Sequence, residues 1–121
     1  MSTTKDLGDR GEDLTADWIL SRGCRILDRR WRCRYGELDL VARDADGTIC
    51  FVEVKLRSGS LAGLPREAVD CRKRERLRSA AESYLALHDL GDAPARFDVA
   101  EVYTDGNHRP VRLEYLEDAF Q

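Results

Sequence analysis

The chain of 121 residues has no long apolar run, no apolar core in its first six residues and no cysteine pair at metal-ligand spacing. No stretch approaches the roughly 18 apolar residues of a membrane span, and residues 1–6 hold no apolar signal core. The four cysteines lie 9, 17 and 21 residues apart without a CxxC pair, and only two histidines accompany them. We therefore expect a cytoplasmic protein with reduced thiols, no membrane partner and no structural zinc.

Aromatic residues are also scarce, at 7% of the chain, and there are no internal repeats or low-complexity segments. The length fits one domain over residues 1–121 and leaves little for a second core. We therefore expect a single-domain protein and not a multidomain machine.

The net charge of −3 argues, taken alone, against a nucleic-acid partner, but the charge is unevenly distributed. Between Arg22 and Arg78 there are 15 Lys or Arg against 9 Asp or Glu, whereas both flanking segments are acidic. Seventeen of the 20 cations are arginine, whose guanidinium fork suits phosphate, although a biased codon supply would give the same count. The placement of the cations is therefore more informative than their number.

Hydrophobic periodicity predicts a helix, three strands, a second helix and two further strands. The predicted bounds are a helix over 9–22, strands over 24–31, 37–43 and 48–57, a helix over 66–88 broken once near Asp70, and strands over 95–103 and 111–115. Ser58 to Leu64 reads as a loop, Pro65 opens the second helix, and residues 104–107 form a turn. This order predicts an α/β domain with a central mixed β-sheet flanked by helices.

Glu12 lies on the apolar side of the first predicted helix. Ala16, Ile19 and Leu20 form the expected apolar stripe, and Glu12 precedes Ala16 by four residues and Ile19 by seven. A carboxylate facing the core is costly unless a partner or a cation accompanies it, so a partner is implied. The alternative is a first-turn glutamate stabilised by the helix dipole.

The first predicted strand is strongly cationic and is expected to lie at an edge of the sheet. Its arginines, which either block edge pairing or contact phosphate, are Arg25, Arg29, Arg30, Arg32 and Arg34.

The next two strands carry two carboxylates and a lysine. In the first, Leu38, Leu40 and Ala42 are expected on one face, with Glu37, Asp39 and Val41 on the other. In the second, Glu53 and Lys55 share a face because they are two residues apart.

Whether Asp39 joins Glu53 depends on the hairpin register. A three-residue loop Ala45-Asp46-Gly47 places Asp39 opposite Glu53, whereas a two-residue turn Asp46-Gly47 places Val54 there. We favour the three-residue loop, because its last position suits a left-handed glycine.

Two adjacent carboxylates repel each other unless a proton or a divalent cation lies between them. Oxygen ligands alone favour Mg²⁺ or Mn²⁺, and Lys55 beside them can orient or help deprotonate an attacking water. This combination is typical of phosphodiester hydrolysis. The alternative is an ordinary cross-strand Glu/Lys ion pair at a solvated strand end.

The second helix is predicted to bury a stripe made of Leu77, Ala80, Ala81, Tyr84 and Leu85. Lys73 and Arg76 extend that stripe and, together with Arg57, are candidates for backbone phosphate contacts. The alternative is a charged face that is merely solvated.

The pattern Asp39 … Glu53-Val54-Lys55 resembles the PD-(D/E)xK signature of the restriction-endonuclease-like superfamily. More narrowly, the chain resembles the YraN-like family of uncharacterised predicted nucleases through Gly11-Glu12 and four further segments, over 36–42, 51–57, 65–69 and 96–99. The resemblance implies a restriction-endonuclease-like domain similar to Holliday-junction resolvases. It also implies a Mg²⁺ or Mn²⁺ site at Glu12, Asp39 and Glu53, with catalytic roles for these acids and for Lys55.

The sequence thus favours a metal-dependent endonuclease acting on branched or irregular nucleic acid, with DNA favoured over RNA and a homodimer left open. The alternative is a nucleic-acid-binding protein with this fold and little activity, acting within a DNA repair or uptake assembly. A plain interaction domain would leave the Asp39, Glu53 and Lys55 grouping unexplained.

Overall fold

Five strands form one mixed sheet between two helices. The computed structural model describes residues 4–58, 71–105, 107 and 109–120. Along the chain the elements are α1 (Thr4–Ser21), β1 (Arg25–Cys33), β2 (Gly36–Arg43), β3 (Ile49–Ser58), α2 (Cys71–Leu87), β4 (Ala95–Thr104) and β5 (Pro110–Phe120). The predicted α/β class, the mixed sheet and the order of its elements are confirmed.

Some predicted features lie outside the described residues. Ser58 ends β3, while the rest of the predicted loop, Pro65 and the predicted helix start up to Asp70 belong to this undescribed part. The same holds for part of the predicted turn over 104–107.

The strands lie in the sheet in the order of the sequence. β1, β2 and β3 form an antiparallel meander, β3 and β4 are parallel, and β4 and β5 are antiparallel. The parallel pair requires a crossover, which contains α2. β1 is an edge strand, as its charge predicted.

Each face of the sheet is covered by one helix. In β3, Cys50 and Val52 pack with Ile19 of α1, whereas Ile49 and Phe51 pack with Tyr84 of α2. This alternation is the period-two pattern expected for a strand buried on both faces. The predicted stripe of α2 is confirmed, with Leu77, Ala80, Ala81 and Tyr84 buried and Leu85 packed against them.

The hairpin between β2 and β3 has the predicted three-residue loop. Asp44 N–H donates to the carbonyl of Thr48 at 3.0 Å, and Gly47 N–H donates to the carbonyl of Asp44 at 3.1 Å. Gly47 has φ +95°, a left-handed conformation that favours glycine. The register that follows runs from Arg43 opposite Ile49 to Leu40 opposite Val52.

Two expectations about the core are wrong. Leu20 is 52% exposed because the stripe of α1 runs through Glu12, Thr15, Ala16 and Ile19, leaving Leu20 at its margin. Leu38 packs in the cluster under α2 and not with Leu40 and Ala42. Both errors arise because the spacing of apolar residues does not show where the alternation of a strand breaks or where the buried face of a helix ends.

The four cysteines are free thiols, and burial raises the pKa of Cys50 to about 12. A buried, protonated thiol behaves as a small apolar side chain. In the part of the chain that the structure describes, no helix is long and apolar enough to cross a membrane.

Tyr84 is the largest fully buried side chain, and its hydroxyl donates to Asp28 at 3.2 Å. Burial and the neighbouring Asp28 raise the pKa of Tyr84 to about 12. We expect Tyr84→Phe to lower the free energy of unfolding by about 1 kcal/mol, and Tyr84→Ala to lower it by about 3–5 kcal/mol, in urea titrations at pH 7.

The stability difference between wild type and Tyr84→Phe should also depend on pH. Because the pKa of Tyr84 is higher in the folded state than the value of about 10 in an unfolded chain, its hydroxyl stabilises the fold below pH 10. The difference between wild type and Tyr84→Phe should therefore shrink as the pH rises from about 10 to about 12. A difference that stays constant over this range would contradict the assignment.

Candidate functional site

Asp39 lies where β2 separates from β3. The paired residues of the two strands end at Leu40 and Val52. One residue further along, the Asp39 carboxylate accepts a hydrogen bond from Val54 N–H at 2.9 Å. Alternation in β2 breaks at this point, because Leu38 packs under α2 whereas Leu40 packs under α1. The break leaves Asp39 between the faces, with its side chain directed toward β3.

Glu53 meets Asp39 at this opening of the sheet. Glu53 is 6% exposed, and its carboxyl lies close to that of Asp39. Burial, followed by the contact with Asp39, raises the pKa of Glu53 to about 9, against the opposing charges of Lys73 and Lys55. Two carboxyls in contact must share a proton or a cation. Asp39 and Glu53 are therefore neighbours, as predicted, and Lys55 lies within electrostatic range of Glu53.

Glu12 faces the sheet, as its spacing predicted, but the guanidinium of Arg30 binds its carboxylate. Glu12 is 9% exposed, and Arg30 Nε donates to both carboxylate oxygens, at 3.1 and 3.2 Å. Arg29 lies 3.8 Å away, and Arg30 also pairs with Asp9. Burial raises the pKa of Glu12 and so, to a smaller extent, does the charge of Asp39, which lies within electrostatic range.

The end of α1 that carries Glu12 lies close against β3 because of Gly11. A Cβ at this position would lie 2.9 Å from Leu56 Cδ2 and 3.5 Å from Val54 Cγ1. Thr15, buried one turn later, donates its hydroxyl hydrogen to the Gly11 carbonyl at 2.7 Å. The glycine therefore sets how near the acid of α1 comes to the acids of the strands.

Arg30 has an unusual backbone conformation directly beside Asp39. Its φ is +53°, and it falls between the cross-strand pairs Arg29 with Leu40 and Trp31 with Leu38. For an L-residue the left-handed region costs roughly 1–2 kcal/mol. Consecutive arginines consequently point to the same side and reach α1 together. The strain coincides with the break at Asp39 on the neighbouring strand.

A small cleft opens beside Glu53, and we call it the inner cleft. Its volume is about 180 Å³, and it is lined by Tyr35, Gly36, Glu37, Glu53, Lys73, Arg76, Leu77 and Ala80. Lys73 Nζ lies 4.0 Å from Glu53 Oε1. Two of the three cations that the sequence suggested for phosphate contact thus line the cleft that contains a candidate metal ligand.

The third predicted cation, Arg57, is directed elsewhere. Its Nε lies 3.1 Å from Glu101 Oε2, and Glu101 is 1% exposed on β4. Glu101 pairs in register with Lys55, so the two side chains lie on the same face of adjacent parallel strands. Glu101 was missed in the sequence, where its alternation with Val99 and Tyr103 would have marked it as an acid on a buried face.

Arg30 and Tyr35 were also missed as parts of the site. The inward spacing of Glu12 implied a partner, and a cationic strand was available, but its arginines were weighed only as edge charges or phosphate contacts. Tyr35 is an aromatic residue at a turn among arginines, a combination typical of nucleic-acid surfaces.

Asp98 is a buried acid with a full set of partners. It accepts from Arg96 at 3.1 and 3.2 Å, from Tyr115 Oη at 2.6 Å and from Asp118 N–H at 2.8 Å. These contacts join β4 to β5, so Asp98 has a structural role away from the Asp39–Glu53 pair.

The donor set at the opening of the sheet therefore comprises two carboxyls. Across the described ranges 4–58, 71–105, 107 and 109–120, no group of three or more Asp, Glu, His or Cys side chains converges as a metal cage. Asp39 and Glu53 fit a hard divalent cation, because a cation held between them would offset their mutual repulsion. Mg²⁺ characteristically keeps several waters and is held by one or two carboxylates.

The family model described as "Uncharacterised protein family UPF0102" matches residues 11–102. A UPF0102 protein of Nocardia farcinica is 48% identical over 114 residues, covering 94% of this chain and 88% of the relative. One of Pelotomaculum thermopropionicum is 45% identical over 116 residues, covering 96% of each. The resemblance to the YraN-like family is confirmed.

Among solved structures, an EndoMS–dsDNA2 complex is 22% identical with a TM-score of 0.45. The likeness covers 80% of this chain and 36% of the solved one.

The two buried acids predict opposite effects of isosteric amides on stability in metal-free buffer at pH 7. Glu53→Gln keeps a hydrogen bond to Asp39 without a proton to take up, so it should raise the free energy of unfolding by about 1–2 kcal/mol. Asp98→Asn removes charge from a satisfied acceptor and should lower it by about 1–3 kcal/mol. Denaturant titrations measure both. Destabilisation by Glu53→Gln would contradict the description of the Asp39–Glu53 pair.

Proposed function

The chain belongs to the UPF0102 family, and we propose that it is a metal-dependent nuclease that hydrolyses phosphodiester bonds of DNA at a PD-(D/E)xK site. The proposal includes a restriction-endonuclease-like fold and Mg²⁺ or Mn²⁺ as the cofactor. The α/β architecture and the family membership are established, and the proposal assigns a reaction to them.

One observation carries this proposal. Two carboxyls, Asp39 and Glu53, are in contact at an opening of the sheet, although burying one acid against another is costly in the metal-free fold. A protein that needed only stability would have a neutral or apolar residue at one of these positions. The pairing is explained if both acids hold a cation during function, because the cation would offset their mutual repulsion.

The side chains around the pair suit a phosphodiester. A divalent cation held there would supply positive charge to the scissile phosphate. Lys55, next to Glu53, would orient the attacking water and offset charge on the phosphate. Lys73 and Arg76, along the inner cleft, would hold the neighbouring backbone phosphates. Arg57 is less available for this task because Glu101 binds its guanidinium.

Glu12 is the acid that distinguishes the proposal from its alternative. The resemblance assigns it to the metal site, yet Arg30 binds both of its oxygens. This pairing favours, as a second candidate, a nucleic-acid-binding protein with a nuclease-like fold and little cleavage. In a nuclease, Glu12 would act after Arg30 releases it or would steady the site through Arg30.

Metal binding can be tested without cleavage. Isothermal titration with Mn²⁺ should show one site in wild type, and Asp39→Asn or Glu53→Gln should weaken it at least tenfold, since each variant loses a ligand. Glu82→Gln, which changes an exposed acid on α2, is the matched control and should bind as wild type does. Equal heats in all four proteins would refute the metal site.

Cleavage separates the enzyme from the binder. With Mn²⁺ and a panel of linear, nicked, flapped and four-way DNA, we expect wild type to cut at least one branched or irregular substrate. Lys55→Ala should lower that rate by about 100-fold or more while keeping the Mn²⁺ heat, because Lys55 is not a ligand. Absence of cutting on every substrate, with metal binding intact, would favour the binding protein.

A further inference from the structure

Tyr35 separates two clefts at the end of the sheet where Asp39 and Glu53 meet. It belongs to the two-residue turn between β1 and β2, whose flanking residues Cys33 and Gly36 are paired. Tyr35 lines the inner cleft, which contains Glu53. It also lines a second one of about 430 Å³, the outer cleft, together with Arg72, Glu75, Arg76 and Ser79.

The Tyr35 ring is half-buried against the core cluster under α2 and has arginines beside its remaining surface. The Arg34 guanidinium lies 4.9 Å from the centroid of the Tyr35 ring, within cation–π distance. Arg72 and Arg76 are one turn apart on α2 and both border the outer cleft. Neither has an acidic partner among the residues that the structure describes, and Glu75 is the acid among the outer-cleft lining. The surface therefore offers a flat ring flanked by cations.

This surface matches the chemistry of an unpaired nucleotide. Proteins that bind single strands combine a cationic track for the backbone with aromatic rings on which bases stack. In a duplex both faces of an internal base are covered by its neighbours, so a ring at a turn can stack only on a base that has left the helix.

We propose that Tyr35 is the stacking platform for an unpaired nucleotide whose phosphate backbone runs along Lys73, Arg72 and Arg76 toward Glu53. The inference rests on the proposed function and deepens it: the substrate is a strand with an unpaired base beside the scissile phosphate. DNA and RNA strands share this chemistry.

Binding without metal tests the inference separately from catalysis. In EDTA, fluorescence anisotropy would give the Kd of a 20-nucleotide oligo-dT, the matching oligo-U and a 20-base-pair duplex for wild type, Tyr35→Leu and Tyr35→Phe. Tyr35→Leu should weaken binding to at least one single strand by about 5- to 100-fold, Tyr35→Phe by less than about twofold, and neither should change duplex binding by more than about twofold. The single strand that responds identifies DNA or RNA as the source of the nucleotide.

A stacking signal separates a platform from a merely structural residue. A single strand with one 2-aminopurine should lose fluorescence when it binds wild type or Tyr35→Phe and keep it when bound, at saturating protein, to Tyr35→Leu. Circular dichroism melting of the three proteins verifies that the variants fold. Quenching of the same size in Tyr35→Leu would overturn the inference, as would unchanged affinity for both single strands.

Arg78, on the same helix, provides a matched control for the arginines that line the clefts. Arg76→Ala should lower the slope of log Kd against log salt for the single strand by about 0.7, the value for one lost phosphate contact. Arg78→Ala removes another exposed arginine, which lies outside the lining of both clefts, and should leave the slope unchanged. Equal effects of the two variants would contradict a track along the clefts.

The two proposals fail in different ways. Tyr35-dependent strand binding without cleavage would uphold the platform and reject the nuclease. Cleavage with normal strand binding by Tyr35→Leu would uphold the nuclease and reject the platform.

Discussion

The structure depends on one contact at the point where β2 leaves β3. The Asp39 carboxylate accepts the Val54 N–H that would otherwise lack a partner in the ladder, and it lies beside the carboxyl of Glu53. A side chain thereby takes over the role of a backbone carbonyl, which lets the strands separate without leaving a buried donor unsatisfied. The opening so formed is what allows an acid of β3 to meet an acid of β2 beside a cleft.

The surrounding fold keeps the two acids together although they repel each other. Leu40 and Val52 close the ladder below it, Gly11 brings α1 close to β3, and Arg30 adopts a left-handed conformation opposite Asp39. Strain and buried like charges of this kind persist where the surrounding structure fixes them, and they concentrate at functional sites. The contrast with Asp98 is instructive, because that acid is fully buried but has Arg96, Tyr115 and a backbone N–H as partners.

Much of this arrangement could be predicted from the sequence, for definite reasons. The Ala45-Asp46-Gly47 loop fixes the hairpin register, and the register alone brings Asp39 to the level of Glu53. The 3.6-residue period turns Glu12 inward. What could not be predicted is the break in alternation at Asp39, which moves Leu38 to the other face, or the choice of Arg30 as the partner of Glu12. Both depend on contacts between elements far apart in the chain, which the spacing of neighbouring residues does not show.

The most direct measurement is an anomalous difference map from a crystal grown with Mn²⁺. A Mn²⁺ ion is strongly visible by this method, and its position identifies the ligands without reference to any activity. The account predicts one strong peak between the carboxylates of Asp39 and Glu53, and no peak there in an Asp39→Asn crystal. A map in which Mn²⁺ binds elsewhere and leaves no peak between the two carboxyls would contradict it.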